Sequence, residues 1–93
     1  MNPRLELKVY GQVQGVNFRY FVFQKAKKLG LAGWVKNEKD GSVAVLAEGP
    51  EKKLKELIQY CQAGPEFAII DRVEEEWKEA VGGFEDFVIK YNK

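Results

Sequence analysis

The stretch Gly11-Gln12-Val13-Gln14-Gly15-Val16-Asn17-Phe18-Arg19 sets two glycines and an arginine between a run of alternating apolar residues and a run with helical spacing. Residue types in that order suit an oxyanion. Glycine lets the backbone turn so that successive N–H groups point into one hollow, the following helix adds its positive N-terminal pole, and a guanidinium forks two hydrogen bonds onto a tetrahedral anion. The hollow reads as a phosphate site with Arg19 as its cation. Further along, Asn37 closes a short apolar run. Its neutral carboxamide can align a water but cannot serve as a base. Taken singly, these residues have plainer readings: turn glycines, a cation at a helix start, an asparagine flanking a hairpin. Chemistry follows only if the fold brings them together.

The elements that must do so are legible as periodicities. Leu5, Leu7 and Val9 alternate with Glu6, Lys8 and Tyr10, predicting a half-buried strand that ends at Gly11 and has one wet face. Phe18, Val22, Ala26 and Leu29 recur at helical spacing, predicting a helix over 18–29 with Gly30 as its C-terminal cap. Leu31 to Asn37 and Ser42 to Gly49 read as a hairpin turned by Glu38-Lys39-Asp40-Gly41. Gly49-Pro50 opens a second helix carrying Leu54, Leu57, Ile58 and Cys61, which Ala63-Gly64-Pro65 stops. A strand from Ile69 to Trp77 places Val73 and Trp77 on one face with Asp71 and Glu75, as an edge strand does to discourage pairing with other chains. After Gly82-Gly83, residues 87–91 form a last short strand. Phe18 and Trp34 read as core.

The order strand, helix, strand, strand, helix, strand, strand predicts an α+β fold: a ferredoxin-like split βαβ sandwich, with a mainly antiparallel four- to five-stranded sheet and two helices on one face. The first βαβ unit runs its two strands parallel. The loop after the first strand and the carboxyl end of the second then share one sheet edge, which carries Arg19 toward Asn37 at the place where ligands commonly bind such sheets.

Composition narrows the chemistry. Residues 1–93 read as one domain, 45% apolar and 31% charged, with a net charge of +1 that gives no reason to expect nucleic acid or an anionic membrane as partner. The lysines of both helices read as solvated faces, and the third strand lacks the stacking aromatics of an RNA-binding sheet. One cysteine, on an apolar helical stripe, excludes an internal disulfide and fits a reducing, cytoplasmic setting. The charged N-terminus is unlike a signal peptide, no apolar run is long enough to span a membrane, and nothing demands more than a monomer. There is no histidine, Ser42 is the only serine, and no spacing suggests a metal cage, so a reaction here must manage without a strong base or a metal, and no cofactor is expected. Hydrolysis of an acyl phosphate meets that requirement. Its leaving carboxylate has a conjugate acid of pKa ~4, by analogy with Asp and Glu, and departs without a protonating group. Positioning and charge stabilisation are what remains to supply.

Gly11-x-Val13-Gln14-Gly15-Val16-x-Phe18-Arg19, followed by Gly33-Trp34-Val35-Lys36-Asn37-x-x-x-Gly41-x-Val43 and Gly49, resembles the two signatures of the acylphosphatases. The likeness continues through Gly64-Pro65 and Trp77 to the last strand. It implies a small cytosolic hydrolase that cleaves small acyl phosphates to a carboxylate and inorganic phosphate, without metal or covalent intermediate. By that resemblance Arg19 is the phosphate-binding catalytic arginine and Asn37 orients the water. Gln14, Gly15, Val16, Asn17 and Phe18, with Arg19, form the loop whose backbone amides cradle the phosphate. Gln12 stands where many members carry a basic residue, Asn17 fills a variable slot, and Glu75 stands where an apolar residue is usual. Because acylphosphatase-like domains also occur inside larger proteins such as hydrogenase-maturation factors, a non-catalytic phosphate-binding module is the alternative.

Overall fold

The computed structural model describes residues 2–91. Its elements are β1 (Pro3–Gln12), α1 (Phe18–Lys28), β2 (Ala32–Asn37), β3 (Val43–Glu48), α2 (Glu51–Ala63), β4 (Ile69–Glu79) and β5 (Phe87–Lys90). They form a five-stranded sheet in the order β4-β1-β3-β2-β5. β3 pairs antiparallel with both β1 and β2, so these two run parallel with one strand between them. This is the split βαβ arrangement expected. β5 adds parallel to β2 at one edge, and β4 closes the other by pairing antiparallel with β1.

The alternation in β1 decides which face is buried. Leu5, Leu7 and Val9 are at most 3% exposed and meet Val22, Ala26, Leu54, Leu57 and Cys61 of the two helices in a single core. Removing a side chain such as Leu5 fully from water contributes about 2 kcal/mol. α1 ends as its sequence requires, with Gly30 N–H donating to the Lys27 carbonyl and Leu31 N–H to that of Ala26, both at 3.0 Å. α2 starts from Pro50, whose carbonyl accepts from Leu54 N–H at 3.1 Å, and stops where Gly64 N–H donates to Tyr60 O at 2.8 Å.

Three expectations need correction. Gly11 does not belong to the loop between β1 and α1. β1 continues through it to Gln12, and the register against β4 slips between Tyr10 and Gly11. A Cβ at Gly11, where φ is +135°, would lie 2.0 Å from the Ile69 carbonyl oxygen, so glycine is needed here for close approach of two strands. The same bulge disposes of Asp71. Ile70 pairs with Gly11 and Arg72 with Tyr10, leaving Asp71 as the extra residue, and Ile70 rather than Asp71 packs with Val73 against the core. Glu75 does stay on the helix side, opposite Leu7, and accepts from Trp77 Nε1 at 3.1 Å. Both are exposed, on the edge strand of the sheet.

Trp34 is the third correction. It lies on the open face of the sheet, opposite Leu46, with Lys36 Nζ and Lys90 Nζ 5.0 and 4.9 Å from its ring. Period two forces this: Gly33 and Val35 take the buried face of β2, so Trp34 cannot. Phe18, by contrast, is 1% exposed.

The segment between β4 and β5 is strapped down by Glu48, itself only 8% exposed. Its carboxylate accepts from Arg4 Nε at 3.0 Å, Val81 N–H at 3.0 Å and Gly82 N–H at 3.1 Å. Burial pushes that carboxyl up, but the Val81 amide, the Arg4 guanidinium and the Gly82 amide outweigh it and hold it below the usual range.

Candidate active site

The loop between β1 and α1 is anchored at both ends in the core, by Val13 and Phe18, each 1% exposed. Between those anchors the backbone turns twice into the left-handed region, at Gly15 (φ 77°) and at Asn17 (φ 68°, ψ 20°). Alternating handedness of this kind gathers successive N–H groups into a concavity suited to an anion. Asn17 occupies the N-cap position of α1, yet its side chain makes no capping bond and the first turn carries no acidic residue. The first-turn N–H groups have no intrahelical acceptor, and here neither a side-chain cap nor a carboxylate competes for them. α2 differs in this respect, with Glu51 in its first turn.

Arg19 and Asn37 line the same cleft, of about 420 Å³, together with Gly15, Asn17 and Phe18. Each is partly exposed, so both can reach a ligand without leaving the frame that holds them. Topology unites them. Asn37 is the last residue of β2, paired with Val43, and Arg19 is in the first turn of the helix that follows the parallel strand β1. Tyr91, just past β5, completes one wall, with the Arg19 guanidinium carbon 4.9 Å from its ring centroid.

Gln14 does something that sequence reasoning missed. Its side-chain Nε2 donates to the Glu38 carbonyl at 2.7 Å and to the Ser42 carbonyl at 2.9 Å, tying the β1–α1 loop to the β2–β3 hairpin immediately beyond Asn37. The hairpin is itself well braced. Glu38 N–H donates to Ser42 O at 2.8 Å, and Asp40 accepts from the Ser42 hydroxyl at 2.5 Å and from the Ser42 N–H at 2.9 Å. Lys8 Nζ lies 3.1 Å from the other Asp40 oxygen. The Ser42 hydroxyl, then its N–H, then the Lys8 ammonium hold the Asp40 carboxyl down at about 2. Nothing in the sequence signals the Gln14 contact, because its acceptors are backbone carbonyls more than twenty residues away.

Several residues stand apart. Gln12 lies at the end of β1 and is not among the cleft's lining residues, and Ser42 is engaged with Asp40. Cys61 is wholly buried, and burial alone pushes its thiol up to about 12, which leaves it inert. Among the described residues, no group of three or more His, Cys, Asp or Glu side chains could hold a metal ion.

The acylphosphatase family model matches residues 5–89. The chain belongs to the acylphosphatase family. An acylphosphatase of Caldanaerobacter subterraneus subsp. tengcongensis is 47% identical over 96% of this chain and 99% of its own length. That of Geotalea uraniireducens is 45% identical over 98% of this chain and 100% of its own. The crystal structure of acylphosphatase from Bacillus subtilis superposes with a TM-score of 0.92 at 40% identity, covering 96% of this chain and 99% of that one. The chain also matches 12% of full-length HypF, with a TM-score of 0.85 at 29% identity over 97% of this chain. A five-stranded sheet with two helices on one face is therefore the acylphosphatase fold, and the enzyme's family activity is hydrolysis of acyl phosphates.

Proposed function

We propose that acyl phosphate hydrolysis is carried out in the cleft between the Gly15–Asn17 turn, Arg19 and Asn37. The loop amides and the Arg19 guanidinium bind the phosphoryl oxygens and stabilise the charge that builds on them. The Asn37 carboxamide aligns a water for in-line attack on phosphorus. The new bond forms between water oxygen and phosphorus as the bond from phosphorus to the carboxyl oxygen breaks. The carboxylate leaves unprotonated, and the water's proton passes to the phosphate or to solvent. Gln14 keeps the loop and the hairpin at a fixed separation, so that the phosphate donors and the water-aligning amide stay in register. The observation that carries this reading is the shared cleft of Arg19 and Asn37.

Residues 1–93 act, in the same reading, as one domain and as a monomer in the cytoplasm, with a small acyl phosphate as partner. Relatives matched over their full length favour turnover over the module reading, which the HypF likeness keeps in view. The test is benzoyl phosphate hydrolysis with a chelator present and inorganic phosphate as competitor. Arg19→Gln should lose turnover and, by calorimetric titration, binding of inorganic phosphate. Asn37→Ala should lower kcat roughly a hundredfold, the ~3 kcal/mol typical of one lost transition-state donor, with little change in KM. Full activity in both variants would overturn the assignment, and phosphate binding without turnover in the wild type would establish the module instead.

A further inference from the structure

A phosphoryl group fills only part of the cleft described above. The remainder is bounded by Tyr20, Tyr91 and Ile89; the Tyr20 ring stacks on Phe23, 6.1 Å between centroids, one turn along α1. Tyr20 is 47% and Tyr91 71% exposed, too open for either to be explained by packing in the core. The Tyr91 ring also lies against the Arg19 guanidinium, 4.9 Å from its carbon, next to the proposed phosphate donor. In a bound acyl phosphate the carbonyl carbon is two bonds from phosphorus and the first atom of the acyl substituent is three. A phosphate held by Arg19 therefore delivers its acyl substituent to the neighbourhood of those rings. Charge points the same way. Among the described residues lining the cleft, Arg19 alone carries a formal charge, so a second anionic group on the acyl portion finds no cation there.

We propose that Tyr20 and Tyr91 form an acyl subsite that selects neutral acyl phosphates with a flat aromatic substituent over short or anionic ones. This rests on the phosphate site argued under Proposed function. An aryl ring stacks on or against these faces and covers exposed aromatic surface, whereas the methyl group of acetyl phosphate is too small to cover either ring. A carboxylate or second phosphate on the acyl chain has to be desolvated beside them without a partner.

Two readouts separate the subsite from the chemistry. Kinetics on benzoyl, acetyl and succinyl phosphate give ratios of kcat/KM. Calorimetric binding of benzoylphosphonate and acetylphosphonate, which lack the bond to be hydrolysed, gives the same preference without turnover. The wild type should favour the benzoyl member in both, with succinyl phosphate the poorest substrate. The preference should shrink about fivefold in Tyr20→Ala and in Tyr91→Leu, the size of one aromatic contact. Tyr91→Phe, which keeps the ring, should retain it. Equal affinity for the two phosphonates in the wild type would overturn the subsite, as would parallel losses on both analogues in the tyrosine variants. If hydrolysis is absent while the phosphonate preference is present and falls in the variants, the subsite stands and the catalytic reading is what fails.

Discussion

Replacing Gln14 with methionine isolates the link between the anion loop and the hairpin, because it keeps the side chain's length while removing both donated hydrogen bonds. A buried hydrogen bond typically contributes about 1 kcal/mol net, more when its loss orphans a partner. Neither acceptor is orphaned here. The Glu38 carbonyl also accepts from Gly41 N–H at 3.2 Å, and the Ser42 carbonyl from Glu38 N–H at 2.8 Å. One of the two lost bonds is exposed and the other half-buried. The stability loss should therefore sit near the low end, about 1 kcal/mol, which for a domain of this size lowers Tm by roughly 4–8 °C. Activity should fall further than that figure implies. The loop amides and Asn37 lie on opposite sides of the link, and a displacement of about 1 Å between reacting groups can cost on the order of a hundredfold in rate. We expect kcat/KM for benzoyl phosphate to drop about tenfold or more at a temperature well below Tm, where the folded fraction is unchanged. Thermal unfolding followed by circular dichroism, with initial rates at 25 °C, measures both. A lowered Tm with wild-type kcat/KM would show that the link braces the fold without setting the geometry of the site. An unchanged Tm and rate would show that it does neither.

Three further outcomes follow from the same structure. Gly11→Ala should destabilise by on the order of 3 kcal/mol, because its Cβ meets a carbonyl oxygen of the paired strand, and urea unfolding would expose the reasoning if the midpoint did not move. Native Cys61 should resist iodoacetamide at pH 8 and react only on unfolding, since its thiol is buried and titrates near 12; rapid alkylation of the folded protein would contradict that. Asp40 is held below its ordinary 3.8, so its folded carboxylate stabilises above that pH and the contribution disappears as pH falls through about 2. Tm measured from pH 5 to 2 should accordingly fall less steeply in Asp40→Asn than in the wild type, and identical acid slopes would refute the role given to this hairpin.

Most of the architecture was legible because the chain is locally consistent: period two in β1, helical spacing in both helices, Gly30 and Gly64 at the helix ends. The misreadings share one cause. The extra residue in β4 is invisible in a linear pattern, since a bulge is a relation between two strands, and it moved both Gly11 and Asp71 from the places that alternation assigned them. Trp34 was misjudged for a related reason. Hydrophobicity suggested burial, but the face of β2 was already assigned by Gly33 and Val35.

By itself the sequence determined the kinds of chemistry open to this protein. Glycines and an arginine at a strand-to-helix junction, in a chain without histidine, pointed to binding of an oxyanion and positioning of a water, and local periodicity is enough to say on which elements those groups ride. Tertiary structure decided their distances and company: that β3 lies between β1 and β2, that Gln14 spans from loop to hairpin, and that Tyr91 lies against Arg19. The physical reason is one of range. Propensities and patterning act over a few residues, whereas the site is assembled from contacts between positions 24 to 72 apart, whose geometry exists only once the sheet has closed on its core.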